Sequence, residues 1–134
     1  DGMVKGAKEA LKNNIPVGLG TDASCPLVTP YDMWREVYYF AEFYGVSNAF
    51  AIHTATLKNA QILGIDDITG SIDVGKQADL IVVKENPLEN IKSLRKVNMV
   101  MVGGKLIESP KYERHEQIDE WLDYLSTQGV NVCL

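Results

Sequence analysis

The sequence predicts an α/β fold, and three features of the 134-residue chain carry that prediction. An amphipathic segment near the start has apolar residues at helical spacing, and a short apolar strand from Val17 to Asp22 follows it directly. Two further helical segments come next. From Gly70 onward the pattern changes to short β-rich segments, which indicates a small antiparallel sheet.

The first helix is predicted from apolar residues at helical spacing, which are Met3, Val4, Ala7, Ala10, Leu11 and Ile15. Asn13 and Asn14 end it, because asparagine tolerates the left-handed conformation found at helix ends and Pro16 disfavours helix at Ile15. The strand over Val17 to Asp22 is predicted immediately after this turn.

The second helix is predicted to start at Thr29, which can cap it, with Pro30 in the first turn. Its aromatic face is interpreted as core packing; the face is formed by Tyr31, Trp34, Tyr38 and Ala41. A third helix is predicted from a cap at Ser47 to a left-handed stop at Gly64.

The β-rich region contains three candidate strands, which are Ser71 to Val74, Asp79 to Val83 and Val97 to Val102. Gly103-Gly104 after the last of them is a two-residue hairpin signal. The chain then ends in a helix with Ile118, Trp121, Leu122 and Leu125 on one face, and Gly129 is placed to stop it.

Composition excludes several classes of function. The chain is 46% hydrophobic and 23% charged with a net charge of -5, and it has no Lys/Arg cluster of the kind that binds nucleic acid. No apolar run approaches the roughly 20 residues of a membrane span, so we expect a cytoplasmic protein with no membrane or nucleic-acid partner. Cys25 and Cys133 are interpreted as free thiols, although their pairing stays open.

Asp22 is the first candidate for chemistry, because it ends a strand that runs directly into a loop. In parallel α/β architectures such a side chain meets the ligand crevice. The competing interpretation is structural, since an aspartate after a strand often closes a turn or caps backbone amides.

Three stretches together resemble a known family: GLGTDA at Gly18 to Ala23, the run from Ala49 to Val83, and Asn98 to Ile107. They are similar to the C-terminal portion of metal-dependent hydrolases of the amidohydrolase superfamily, in its imidazolonepropionase-like and prolidase-like branch. The resemblance implies that residues 1–69 are the end of a TIM (β/α)8 barrel, namely its last βα unit and the following helices. Residues 70–108 would be strands of a small composite β-sandwich, and 109–134 a C-terminal helix.

By the same resemblance Asp22 would be both a metal ligand and the general base that activates a metal-bound water. The metal would be zinc or another divalent ion, one or two in number, with most ligands expected upstream of this chain. Zinc sites need three or four protein ligands, and neither His53 nor His115 lies where a ligand is expected. Ser24, Cys25 and Tyr31 are the candidate substrate-binding residues, whereas Gly75, Lys76 and Asp79 are interpreted as structural.

The function implied is hydrolysis of C–N bonds in an amide, cyclic amide or dipeptide-like small-molecule substrate, with this chain incomplete and inactive alone. Its partner would be the remainder of the barrel or another copy of the chain, and a homo-oligomer is expected. The alternative is a non-catalytic, oligomerising α/β module derived from such a hydrolase. A flavodoxin-like ligand binder would need more alternating β and α units than the sequence offers.

Overall fold

A computed structural model describes residues 2–23 and 28–128. Five α-helices are present in these residues: α1 (Gly2–Lys12), α2 (Met33–Tyr44), α3 (Asn48–His53), α4 (Asn59–Leu63) and α5 (Glu116–Thr127). A π-helical segment, Thr54–Lys58, joins α3 to α4, and a 3-10 helix spans Ile91–Arg95. The strands are β1 (Leu80–Val83), β2 (Val97–Val102) and β3 (Lys105–Glu108).

Local chemistry ends α1 as predicted. Asn14 adopts a left-handed backbone with a φ of 57°, and the amide of Ile15 donates to the carbonyl of Ala10 at 2.9 Å. The prediction that the two asparagines terminate this helix is confirmed.

The segment 15–22 is extended but is not a β-strand in the structure, which differs from the prediction over Val17 to Asp22. A strand requires a neighbouring strand to which it is hydrogen-bonded. None of the strands in the described residues pairs with this segment. The backbone of Leu19 is bound by the side chain of Asn59 instead.

Helix α2 forms the centre of the core. Most of its side chains are buried, and Tyr39 and Phe40 are only 1% and 2% exposed. Around it pack Leu11 of α1, Val17 and Leu19 of the extended segment, Ala51 of α3 and Ile91 of the 3-10 helix. The interpretation of its aromatic face as packing is therefore confirmed for Trp34, Tyr38 and Ala41.

Helix α2 begins at Met33 with Asp32 at the N-cap position, three residues later than predicted with Thr29 as the cap and Pro30 as the first helical residue. The Thr29 hydroxyl donates to the Asp32 carboxylate at 2.7 Å and does not cap the helix. The predictions for the next helix hold better. Ser47 accepts a hydrogen bond from the amide of Phe50, and Gly64 ends α4 with a φ of 68°.

The three strands form one antiparallel sheet in the order β1-β2-β3. Gly103 and Gly104 both have positive φ and connect Val102 to its partner Lys105, as predicted for a tight hairpin. Residues 71–74 form turns and no strand. Ser71 and Asp73 bond to each other through their side chains at 2.5 Å, which favours a local turn over a ladder.

Helix α5 docks on α2 as expected for the end of the chain. Leu122 is 2% exposed, whereas Trp121, predicted on the same face, is 46% exposed. Gly129, the predicted stop, lies outside the described residues. Among those residues, no helix has the length and apolar character needed to cross a membrane.

Candidate functional site

Burial alternates along the extended segment that leads to Asp22. Val17, Leu19 and Thr21 are half-buried toward the helices, and Gly18, Gly20 and Asp22 are exposed. This period of two is the alternation of an extended backbone. Asp22 therefore ends the segment as an exposed residue.

The backbone at Asp22 has a φ of 50°. Positive φ is uncommon outside glycine, although aspartate is among the residues that accept it. Such conformations are retained where the surroundings determine them, often at functional positions. The chain therefore turns at Asp22 itself.

Asn59 fixes the segment three residues before Asp22. Its Oδ1 accepts from the Leu19 amide at 2.9 Å, and its Nδ2 donates to the Leu19 carbonyl at 2.8 Å. Asn59 is the first residue after the π-helical segment, a type of interruption that is frequent near functional sites. This anchor was not predicted from the sequence.

On the other side of the segment, the Asp32 carboxylate organises the start of α2. It accepts from the Thr29 hydroxyl at 2.7 Å, from Trp34 Nε1 at 2.8 Å and from Arg35 Nε at 3.0 Å. Asp32 and the side chain of Arg35 are both at most 5% exposed. A buried carboxylate with three donors is well satisfied.

Arg35 links α2 to α5. Its Nη1 lies 2.6 Å from Asp123 Oδ1, and its Nη2 lies 3.5 Å from Asp119 Oδ1 and donates to the Asp119 carbonyl at 3.3 Å. Arg95 and Arg114 add bonds to Asp123 and Asp119 at 2.6 and 2.8 Å. Three arginines thus face three aspartates, which we call the Arg35 network: Arg35, Arg95, Arg114, Asp32, Asp119 and Asp123.

The network changes the acidity of Asp123. Burial alone would raise the pKa of Asp123, but hydrogen bonds from Arg95 and Arg35 outweigh it and hold that pKa below its usual value. The sequence signal for this network was the i, i+4 spacing of Asp119 and Asp123 on one helix face. Their partner Arg35 lies more than 80 residues away, so the spacing did not reveal it.

A small pocket lies where the extended segment, α2 and α5 meet. Its lining includes Thr21, Thr29, Arg35, Glu36 and Leu122. Burial raises the pKa of Glu36, since a carboxylate is less stable away from water. Thr21, the residue before Asp22, therefore lines the same pocket as side chains of α2 and α5.

Tyr31 packs against the C-terminal segment. Its hydroxyl accepts from the His115 amide at 2.8 Å, and its ring lies 5.5 Å from that of Tyr112. The role of Tyr31 in substrate binding stays a prediction. Ser24 and Cys25, the other two candidates, lie outside the described residues, as does Cys133.

The donors in the described residues do not complete a metal site. No group of three or more His, Cys, Asp or Glu side chains there could hold an ion. His53 is exposed on α3 and His115 is exposed at the start of α5. The exposed carboxylate of Asp22 fits one hard oxygen ligand of a divalent ion, and the remaining ligands would have to come from elsewhere.

The contacts of the glycine-rich motif after α4 fit the structural interpretation given to Gly75, Lys76 and Asp79. Gly70 and Gly75 have φ values of 93° and 92°. Asp79 accepts from the Gly103 amide at 2.8 Å, so it fastens the start of β1 to the hairpin. Lys76 donates to Ser71 at 2.5 Å and is thereby held within the turn.

Comparison with known proteins assigns the chain to a family. The sequence profile described as the Amidohydrolase family matches residues 2–107. The chain belongs to the amidohydrolase family. The match includes Asp22, Asn59 and the glycine-rich motif, and it ends before α5.

The similar proteins place this amidohydrolase chain in the prolidase-like branch. In structure it resembles the putative prolidase from Bifidobacterium longum, with a TM-score of 0.89 and 40% identity, over 92% of this chain and 30% of that one. It also resembles a Xaa-Pro dipeptidase with bound methionine in the active site, with a TM-score of 0.70 and 37% identity, over 79% of this chain and 25% of that one.

A curated relative is the ochratoxinase of Aspergillus niger, which is 32% identical over 114 residues, 82% of this chain and 23% of that protein. The chain thus spans between about a quarter and a third of the length of these three relatives. The family and branch predicted from the sequence are confirmed.

Proposed function

We propose that this chain is the C-terminal part of a metal-dependent enzyme that hydrolyses C–N bonds, with Asp22 as a metal ligand and the general base. The observation that carries the proposal is the placement of Asp22. It lies exposed at the end of a segment whose other face packs on the helices, and its backbone turns there with a φ of 50°.

The arrangement supports a TIM-barrel context for this segment. In such barrels the reactive side chains lie at the carboxyl ends of strands, and helices cover the outer face. Val17 and Leu19 pack on the α2 core, which corresponds to the outer face. The exposed end of the segment, which carries Asp22, would face the barrel interior when the other strands are present.

In the proposed reaction, a carboxylate oxygen of Asp22 accepts a proton from a water molecule while the water oxygen bonds to the carbonyl carbon of the substrate. The same carboxyl then returns that proton to the leaving nitrogen as the C–N bond breaks. A divalent metal bound at the site would lower the pKa of the water and polarise the carbonyl. Asn59 holds the backbone of Leu19 and thereby limits the positions that Asp22 can reach.

For the substrate we propose an amide, with dipeptide-like compounds first and cyclic amides second. The support is similarity to the putative prolidase and to the Xaa-Pro dipeptidase, at 40% and 37% identity. The similarity to ochratoxinase extends the panel to other amides. Ser24, Cys25 and Tyr31 stay the candidate contacts.

We further propose that the remainder of the barrel, or another copy of the chain, covers apolar surface that is open here. Ile72 is 87% exposed, and Ile81 of β1 and Leu106 of β3 are 54% and 51% exposed. Apolar surface of this kind marks an interface. By itself the chain would then be inactive.

The test uses the full-length enzyme with Asp22→Asn and a matched control, Asp73→Asn. Asp73 is an exposed carboxylate in the glycine-rich turn, where it accepts a hydrogen bond from the Ser71 hydroxyl. Hydrolysis of a Xaa-Pro dipeptide, an N-acyl amino acid and a cyclic amide is assayed, and bound metal is measured by elemental analysis. We expect D22N to lose about 100-fold or more in kcat, with reduced metal content, and D73N to match the wild type.

Two results would reject the proposal. One is a D22N variant that turns over its substrate at the wild-type rate. The other is a wild-type enzyme that carries no divalent metal and hydrolyses none of the amides. The second result would favour the non-catalytic module, whose expected property is self-association of the chain.

A further inference from the structure

We infer that helix α5 is a positioning element for the Asp22 end of the extended segment, and that it acts through the Arg35 network. The inference rests on the proposed role of Asp22 and deepens it. Helix α5 lies outside the residues matched by the family profile, so its role does not follow from that match.

The first step is the burial of Arg35. Its side chain is 3% exposed and contacts carboxylates on two helices: Asp32 at the start of α2, and Asp119 and Asp123 on α5. A buried guanidinium is stable only when paired. Loss of an α5 carboxylate would therefore force Arg35 to move or to take up water.

The second step runs from Arg35 to the start of α2. Arg35 Nε and the Thr29 hydroxyl donate to the same oxygen of Asp32, at 3.0 and 2.7 Å. Trp34 Nε1 donates to the other oxygen at 2.8 Å. A shift of Arg35 would thus be transmitted to Thr29, which lies on the chain between Asp22 and α2.

The third step is direct packing against the segment itself. Thr21, the residue before Asp22, shares a pocket with Arg35 and with Leu122 of α5. Because interiors are close-packed, a moved Arg35 would alter the space beside Thr21. One route ends at Thr21, next to Asp22, and the other at Thr29, seven residues further along the chain.

A second view is that α5 only covers apolar surface through Leu122, which is 2% exposed. The two views differ in which groups matter. If α5 positions Asp22, its carboxylates should affect the extended segment. If α5 is a cover, removal of one half-exposed carboxylate should disturb α5 alone.

The experiment compares Asp123→Asn with Glu120→Gln in the full-length enzyme. Asp123 bonds both Arg35 and Arg95 at 2.6 Å, whereas Glu120 lies on the same helix and is exposed. Each change removes one negative charge from α5. Backbone amide exchange of the peptides covering residues 15–23, 28–33 and 116–127 is followed by mass spectrometry, together with kcat and KM.

We expect D123N to speed exchange in both peptides and to lower kcat by about 10- to 100-fold, with KM within about twofold. E120Q should match the wild type in all three quantities. Exchange that rises only within α5, with kcat unchanged, would overturn the inference. If D123N does not fold, Asp123→Glu, which keeps the charge but moves the carboxylate relative to Arg35 and Arg95, is judged by the same two results.

The outcome is separable from the proposed function. A wild-type enzyme that hydrolyses no amide would reject the proposed function, and the exchange data would still decide whether α5 controls residues 15–23. An active enzyme whose exchange in those residues ignores D123N would reject only the positioning role.

Discussion

The side chain of Asn59 pairs with both backbone polar groups of Leu19. Asn59 Oδ1 accepts from the Leu19 amide at 2.9 Å, and Nδ2 donates to the Leu19 carbonyl at 2.8 Å. The Asn59 side chain thus makes with Leu19 the two hydrogen bonds that a residue of a neighbouring strand would otherwise make. It ties the extended segment to the first turn of α4 at a point that is part-buried.

Replacing Asn59 by Asp should therefore destabilise the protein. The variant keeps the shape but loses the Nδ2 donor, so that the Leu19 carbonyl has no partner and a carboxylate oxygen faces it. We expect a loss of about 1–3 kcal/mol in the free energy of unfolding, measured by urea denaturation of the full-length enzyme.

The matched control for this change is Gln61→Glu on the same helix. Gln61 is exposed, and its side chain accepts a hydrogen bond from Lys58. Its substitution should alter stability by no more than about 0.5 kcal/mol. Equal losses for N59D and Q61E would show that charge on α4, and not the bond to Leu19, causes the effect.

Gly18 is required by the same contact. A Cβ at this position would lie 2.8 Å from Asn59 Oδ1 and 3.2 Å from Ile62 Cδ1, whereas a Cβ on Gly20 would have no atom within 4 Å. Gly18→Ala should cost about 1–3 kcal/mol in denaturant unfolding, and Gly20→Ala should be within about 1 kcal/mol of the wild type. If both variants unfold at the same denaturant concentration, the steric argument is wrong.

The features that could be predicted from sequence are those decided by neighbouring residues. Asn14, Ser47 and Gly64 perform the predicted capping and terminating roles, because capping needs only a residue type and its local backbone. The Gly103-Gly104 hairpin is of the same kind. The resemblance that pointed to the family rested on such short runs as well.

The features that were missed depend on distant groups. Arg35 meets Asp123 across 88 residues, and Asn59 meets Leu19 across 40. The predicted strand at 17–22 failed for a related reason, since strand pairing needs partners that the described residues do not supply. Helix α2 starts later than predicted because the Thr29 hydroxyl donates to the Asp32 carboxylate and does not cap the helix.

Glu36 gives a prediction about pH. Burial raises its pKa above the ordinary value of 4.5, so the folded protein holds this proton more tightly than the unfolded chain. The contribution of Glu36 to stability is then greatest below about pH 4.5 and is lost as the pH rises through the folded pKa of Glu36. Glu36→Gln should therefore increase the free energy of unfolding at pH 7, and the gain should vanish near about pH 4.

The control for Glu36 is Glu42→Gln. Glu42 lies on the same helix and is exposed, so its neutralisation tests whether the charge of α2 as a whole is responsible. Urea denaturation at a series of pH values separates the two variants. A stabilisation by E36Q that persists unchanged at about pH 4 would contradict the assignment to burial of Glu36.

Gly70 and Gly75 allow backbone strain and steric crowding to be measured separately. Their φ values are nearly equal, at 93° and 92°, but a Cβ on Gly70 would lie 2.7 Å from Ala60 Cβ and 3.1 Å from Leu57 Cα, while one on Gly75 would meet nothing within 4 Å. Gly75→Ala should therefore cost only the backbone term, about 1–3 kcal/mol. Gly70→Ala should cost about 1–3 kcal/mol more.

The two alanine variants are compared by urea denaturation of the full-length enzyme, where the difference in unfolding free energy isolates the contacts with Ala60 of α4 and Leu57 of the π-helical segment. The π-helical segment directly precedes Asn59. Crowding at Gly70 would therefore also displace the Asn59 side chain, which bonds the Leu19 backbone. We therefore expect amide exchange at residues 15–23 to rise in G70A and to stay at the wild-type rate in G75A. Equal destabilisation with equal exchange would show that the close approach of Gly70 to Ala60 relaxes without reaching the extended segment.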